Sequence, residues 1–251
     1  MDSLVPDRPP EFPAERPPLP SIIDNSRPWL QSDSPFSYQC QGCKRCCQHM
    51  LIRINPYEAL RLARRLGTST TAFLAEHVDR NTAFLKPGAQ GWCRFHTAEV
   101  GCTVHADRPL VCRLYPLGAG QFADGHLEYM HLHPHPQTEG QWGTHSTVGD
   151  YLLQQDTARH QAAAERLRQL FGALQAALAR PATAAPAVEA VDAPPTVAAP
   201  LQACDWLDVD DTLQAAGYSP QAITGLGVEE AFNAYMAWLT DAVRQHPETG
   251  V

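Results

Sequence analysis

The stretch CQGCKRCC, residues 40–47, places four cysteines within eight positions of the chain. A two-residue spacer in a tight turn lets two thiolates reach one metal ion. Gly42 suits the first of these turns because it adopts positive φ without a side-chain clash. Cys46 and Cys47 are adjacent and point to opposite sides of an extended chain, so we expect one of them to face a second metal or another corner of the site.

Three more cysteines follow at Cys93, Cys102 and Cys112. Ligands that are distant in sequence close long loops around a metal and stabilise a small domain. The spacing therefore favours metal ligation. A disulfide framework and a thiol redox centre are the alternatives, although C-x-x-C alone is weak evidence for a redox centre without a βαβ context. The eighth cysteine, Cys204, lies far from the others in sequence and is interpreted as a buried or free thiol.

Length and charge limit the classes of function. A chain of 251 residues and 27.6 kDa has room for one or two domains. Its net charge of −8 argues against general attraction to nucleic acid or to an anionic membrane. No apolar run approaches the ~18 residues of a membrane span, and the N-terminus lacks the apolar stretch of a secretory signal. We therefore expect a cytoplasmic protein.

The cysteine-rich part of the chain is basic, although the whole chain is acidic. Residues 36–120 contain eleven Lys and Arg against five Asp and Glu. These cations either balance thiolate charge and donate to sulfur or are solvated surface charges. Arg108 and Arg113 are the stronger candidates for the first role because they flank Cys112.

Composition divides the chain into five parts. Residues 1–35 contain nine prolines and predict a disordered tail. Residues 36–150 form the predicted metal-binding domain, and residues 151–180 a helix that packs on it. Residues 181–203 read as an Ala/Pro linker. Residues 204–251 predict a C-terminal helical segment.

Local signals predict helices and one hairpin. Asn55-Pro56-Tyr57-Glu58 has the layout of a helix start, and Gly67 suits the end of that helix. Asp124-Gly125 predicts a β-hairpin turn. Apolar spacing predicts one helix over Val148–Arg180 and another near Val228–His246. The predicted fold class is mainly α with a short β-hairpin, as a small irregular metal-centred domain followed by helices.

The acidic run near the C-terminal segment does not have the spacing of a calcium loop. It lacks the glycine and the terminal glutamate of an EF-hand, so we interpret it as a solvated helix start. Its members are Asp205, Asp208, Asp210 and Asp211.

Several motifs together resemble a known family. The C-x2-C-x2-C-C run at residues 40–47 is followed by Gly91-Trp92-Cys93-Arg94-Phe95, by Gly101-Cys102 and by an R-P-x-x-C-R segment at residues 108–113. This combination resembles the CxxCxxCC family, also called YkgJ-like, whose members are described as zinc- or iron-chelating. The resemblance covers about residues 36–140 and implies a zinc or iron site.

One motif of that family is replaced here. Its members usually carry a further cysteine in a C-P-G element after the hairpin, whereas residues 131–136 read HLHPHP. His135-Pro136 stands about where Cys-Pro is expected, so His135 is a candidate substituted ligand. The other interpretation is a solvated His/Pro loop. The candidate ligands are therefore Cys40, Cys43, Cys46, Cys47, Cys93, Cys102, Cys112 and His135.

Thiolates suit both zinc and iron–sulfur clusters. A similarity to the cysteine region of flagellin lysine N-methylases, which is described as carrying an iron–sulfur cluster, slightly favours the cluster over zinc. Seven thiols exceed one four-ligand site, so two metals, or one cluster with spare cysteines, both remain open.

The predicted function is a cytoplasmic metal-binding protein whose metal is structural, electron-transferring or chelated. One alternative is an enzyme, methyltransferase-like or redox, that uses the cluster as scaffold or relay. Another is an adaptor folded by metal that binds a protein partner. No nucleotide-binding, zinc-protease or serine-hydrolase motif supports an enzyme. The expected partners are a metal ion or cluster and a possible protein, with no nucleic acid and no membrane.

Overall fold

The computed structural model describes residues 24, 26–79, 81–122, 125–178 and 205–245. Most of the predicted tail, the predicted linker and Cys204 lie outside the described residues.

Helices and short antiparallel strand pairs alternate in the described residues. The helices are α1 Pro56–Leu66, α2 Thr70–His77, α3 Leu110–Leu114, α4 Val148–Gln154, α5 Ala158–Leu178, α6 Val209–Ala215, α7 Pro220–Gly225 and α8 Val228–Gln245. The strands are β1 Pro35–Gln39, β2 Val78–Asp79, β3 Phe84–Leu85, β4 His96–Thr97, β5 Gly101–Cys102, β6 Leu117–Gln121, β7 Leu127–His131 and β8 Gln141–Thr147. They pair as β1–β8, β2–β3, β4–β5 and β6–β7.

The predicted fold class, mainly α with one hairpin, is wrong because the architecture is mixed α/β. The hairpin itself is present as β6–β7. The strand pairs that the sequence did not indicate are too short, or too distant in the chain, to show alternating hydrophobicity. The pair β1–β8 joins the two ends of the cysteine-rich region, with Tyr38 opposite Trp142.

The folded region begins before the predicted boundary at residue 35. Leu30 exchanges two backbone hydrogen bonds with Tyr129 of β7, at 2.7 and 2.8 Å. The end of the predicted tail is therefore held against the hairpin.

Helix α1 is formed as its sequence predicts. The Asn55 side chain accepts from the Glu58 backbone N–H, and the Glu58 carboxylate accepts from the Asn55 N–H, which makes a capping box. Gly67 ends the helix at φ 69°. One face of α1 buries Tyr57 and Leu60, and another face buries Leu62.

The C-terminal helices share a core with α1. Tyr57 and Leu60 are wholly buried against residues of α5, α6 and α8, including Phe232. The interpretation of the acidic run as solvated is wrong for Asp208 and Asp210, which are both buried. Their carboxylates bind groups of α1 and α2, which the local sequence pattern did not indicate.

The helix predicted over Val148–Arg180 is interrupted. Helix α4 ends at Gln154 and α5 begins at Ala158, and Asp156 between them has φ 52°. The last two residues of the prediction lie outside the described part of the chain. None of the helices that the structure describes is long and apolar enough to cross a bilayer.

Candidate metal centre

A chain of backbone hydrogen bonds brings three cysteine-bearing segments together. The Cys93 N–H donates to the Cys47 carbonyl at 2.8 Å, and the His96 N–H donates to the Cys93 carbonyl at 2.9 Å. His96 in turn pairs with Cys102 in the β4–β5 ladder. Residues far apart in sequence are thereby fixed side by side.

Cys112 joins these segments from α3. The Cys112 N–H donates to the Pro109 carbonyl at 3.0 Å, in the first turn of that helix. Its half-buried side chain packs against the same apolar core as Cys93 and Cys102.

Cys46 and Cys47 lie in a short 3-10 helix, Arg45–Cys47, that follows Lys44 at φ 64°. A hydrogen bond from Cys47 acts on the Cys46 thiol, and whether one of the two faces a second metal or another corner of the site stays a prediction. The helical turn replaces the extended backbone on which that expectation rested. Gly42 does have the expected positive φ, 68°.

Five thiols interact electrostatically, and we refer to them as the five-thiol group. Burial and the negative charges of Cys93 and Cys102 raise the pKa of Cys112, and Cys46 contributes in the same direction. The group consists of Cys46, Cys47, Cys93, Cys102 and Cys112.

Cys46 differs from the others in this group. A hydrogen bond from Cys47, with a further contribution from the positive charge of Arg108, lowers the pKa of the exposed Cys46 thiol to about 7. The same hydrogen bond, together with burial, raises the pKa of Cys47 well above its ordinary value. Burial raises the pKa of Cys93 and Cys102. Cys46 is therefore the most readily ionised thiol of the group.

Arg108 and Arg113, which the sequence indicated together, have different roles. The Arg108 guanidinium donates to His105 Nε2 at 2.8 Å, and its charge lowers the pKa of Cys46. Arg113 is buried and donates to the backbone carbonyls of Ala106, Arg108 and Gln155 instead. Arg108 thus acts on the charge of Cys46, whereas Arg113 binds three backbone carbonyls around α3.

Cys40 and Cys43 lie near Tyr38 of β1, the strand that pairs with β8. Cys43 Sγ is 4.0 Å from Thr138 Oγ1, and Cys40 Sγ accepts from the Gly42 N–H at 3.4 Å. Burial raises the pKa of Tyr38 to about 12, and the charges of Cys40 and Cys43 act in the same direction. Thr138 is a neighbour of the site that no sequence signal indicated.

His135 lies in the same turn as Thr138, whose hydroxyl is near the Cys43 thiol. Its Nδ1 accepts from the Gln137 N–H at 3.1 Å, so Nε2 carries the proton of the neutral ring in this arrangement. The proposal that His135 replaces a cysteine ligand stays a prediction.

The donor set fits zinc or iron by chemistry, since clustered thiolates are ligands for both. All seven cysteines of the described residues are free thiols. Among those same residues, however, no three His, Cys, Asp or Glu side chains are arranged to hold a metal ion. The thiols are gathered without a formed coordination geometry, so the predicted metal-centred domain is not observed as such.

Residues 39–134 match the model of the CxxCxxCC family, whose description is "Putative zinc- or iron-chelating domain". We call this segment the CxxCxxCC domain, after the family that it resembles. It contains the seven cysteines that are candidate ligands, while His135 lies one residue beyond the match. Searches of curated proteins and of solved structures gave no match to the chain.

Proposed function

We propose that the CxxCxxCC domain binds iron or zinc through the five-thiol group. The observation that carries this proposal is the assembly of five free thiols from four separate segments of the chain, beside the guanidinium of Arg108. Once deprotonated, thiols this close together repel one another, and a bound cation offsets that repulsion.

The thiols would enter the coordination sphere in different protonation states. Cys46 has a pKa of about 7, so its deprotonation on ligation costs less than that of the other thiols. Cys93, Cys102 and Cys112 have raised pKa values and release their protons when they ligate. Ligation also requires rotation of thiol side chains, since the coordination geometry is not formed without metal.

An iron–sulfur cluster is our first candidate and zinc is our second. Either one takes four thiolates, so one thiol of the five is spare, and Cys40 and Cys43 are available for a second site. When bound, the metal would supply either structural cross-linking or electron transfer. We place the protein in the cytoplasm, where thiols stay reduced.

Anaerobic purification followed by metal analysis and an absorption spectrum tests the proposal. A broad band near ~400 nm with acid-labile sulfide indicates a cluster, and a colourless protein with stoichiometric zinc indicates a zinc site. We expect Cys93→Ser with Cys102→Ser to lose the metal. Cys204→Ser is the matched control and should keep it. A wild-type chain that stays metal-free after reconstitution with either metal contradicts the proposal.

A further inference from the structure

Helix α3, which carries Cys112, has no capping side chain of its own. Its N-cap is Pro109, whose side chain cannot accept a hydrogen bond from the first-turn amides. The free N–H groups of a helix start need partners from elsewhere when they are buried. The Leu110 N–H finds one in another helix.

That partner is Glu58 of α1. Its Oε1 accepts from the Leu110 N–H at 2.6 Å, while its Oε2 accepts from the Asn55 N–H at 3.1 Å. Glu58 is only 3 % exposed, so its carboxylate is shielded from water. Charge-assisted hydrogen bonds are strong in such surroundings. One side chain thus caps the starts of both α1 and α3.

The other side of the carboxylate is closed by α5. His160 Nδ1 lies 3.7 Å from Glu58 Oε1, and the ring is wholly buried. Neither ring nitrogen has a hydrogen-bond partner among the described residues. The buried His160 ring thus covers this side of the Glu58 carboxylate.

We propose that Glu58 is a positioning residue for Cys112, which it holds in the five-thiol group by fixing the start of α3. The inference rests on the proposed function, since it assigns Cys112 a place among the metal ligands. Cys112 follows Leu110 by two residues, within the same helical turn. Arg113 fixes the surrounding backbone through three carbonyls, so Glu58 and Arg113 together hold a helix of only five residues.

Glu58→Ala removes the cap and should weaken metal affinity about 10- to 100-fold, which is the usual cost of losing a residue that orients a ligand. Affinity is measured by competition with a chelator on the full chain. Glu58→Gln keeps a carbonyl oxygen for the Leu110 N–H and should retain most of the affinity.

Asn55→Ala is the matched control. It removes the other half of the α1 capping box and lowers thermal stability, but leaves the bond from Leu110 to Glu58 intact. We expect its metal affinity to stay within about twofold of wild type. An equal loss of affinity in Asn55→Ala and Glu58→Ala means that Glu58 acts only through overall stability, and the proposal is then wrong.

A second readout does not depend on metal. In the metal-free chain, site-resolved alkylation should show Cys112 reacting several-fold faster in Glu58→Ala than in wild type, with Cys93 unchanged. Unchanged Cys112 reactivity overturns the positioning role even if metal binds normally. A chain that binds no metal, yet shows the faster alkylation, contradicts the proposed metal site and leaves the positioning of Cys112 supported.

Discussion

Asp210 of α6 accepts hydrogen bonds from both terminal nitrogens of Arg64 in α1, at 3.0 and 2.8 Å. The same carboxylate accepts from the Thr70 N–H at the start of α2, at 2.8 Å. Its side chain is 4 % exposed, so the pair is largely shielded from solvent. The C-terminal segment is thus attached to the CxxCxxCC domain by buried charge as well as by apolar packing.

Asp210→Ala should lower the free energy of unfolding by about 3 kcal/mol, because it leaves a partly buried guanidinium without its carboxylate. Urea denaturation of the full chain measures the change. Asp241→Ala removes a carboxylate from an exposed ion pair with Arg244 and should cost less than about 1 kcal/mol. Equal losses of unfolding free energy in the two variants would show that Asp210 stabilises the fold no more than an exposed carboxylate does.

Phe232→Ala tests the apolar part of the same attachment. Phe232 packs against Tyr57 of α1 with ring centroids 5.0 Å apart, and it is 1 % exposed. We expect a loss of about 3–5 kcal/mol in one cooperative transition that includes the cysteine domain. Tyr218→Ala, at an exposed position, is the control. Two separate unfolding transitions, of which Phe232→Ala shifts only one, would mean that the C-terminal segment and the CxxCxxCC domain fold independently.

Much of the local structure was predictable because its determinants are adjacent in sequence. The capping residues of α1, Gly67 and the β6–β7 hairpin are all indicated by signals within a few positions, although Asp124 of the predicted turn lies outside the described residues. The candidate ligands were chosen from cysteine spacing in the same way, and their role as ligands stays a prediction.

The features that the sequence did not predict depend on contacts between residues that are distant in the chain. The burial of Asp208 is decided by Thr70, more than a hundred residues away. The pairing of β1 with β8 and the capping of α3 by Glu58 are likewise long-range. The expectation for Cys46 and Cys47 assumed an extended backbone, whereas the chain forms a short 3-10 helix there.

The ionisation of Cys46 gives a pH-dependent prediction. Its pKa of about 7 lies below the ordinary value of 9.0 because Cys47 donates a hydrogen bond to it. Between these two pH values the folded metal-free chain has a thiolate where the unfolded chain has a thiol. Alkylation of Cys46 should therefore rise with a midpoint near pH 7, as followed by mass spectrometry of the modified peptide.

Cys47→Ala removes the hydrogen bond and should move that midpoint upward, toward 9.0. Arg108→Ala removes the smaller contribution of the guanidinium and should move it less. A midpoint that stays near pH 7 in Cys47→Ala would show that another group stabilises the thiolate. The free energy of unfolding should also rise with pH over this range. The stabilisation that Cys46 contributes is complete above pH 9 and is lost as the pH falls through 7.

The final prediction concerns His135, whose turn lies against Cys43 through Thr138. Imidazole ligates a metal through one nitrogen while the other carries the proton. Because Nδ1 accepts from the Gln137 N–H, ligation through Nε2 requires that hydrogen bond to break as the proton moves to Nδ1. If His135 is a ligand, His135→Ala should weaken metal binding and His135→Cys should preserve it. Chelator competition measures both variants, with His133→Ala as the control from the same exposed loop. Unchanged stoichiometry, affinity and spectrum in His135→Ala would show that His135 is a loop residue, and that the cysteines alone hold the metal.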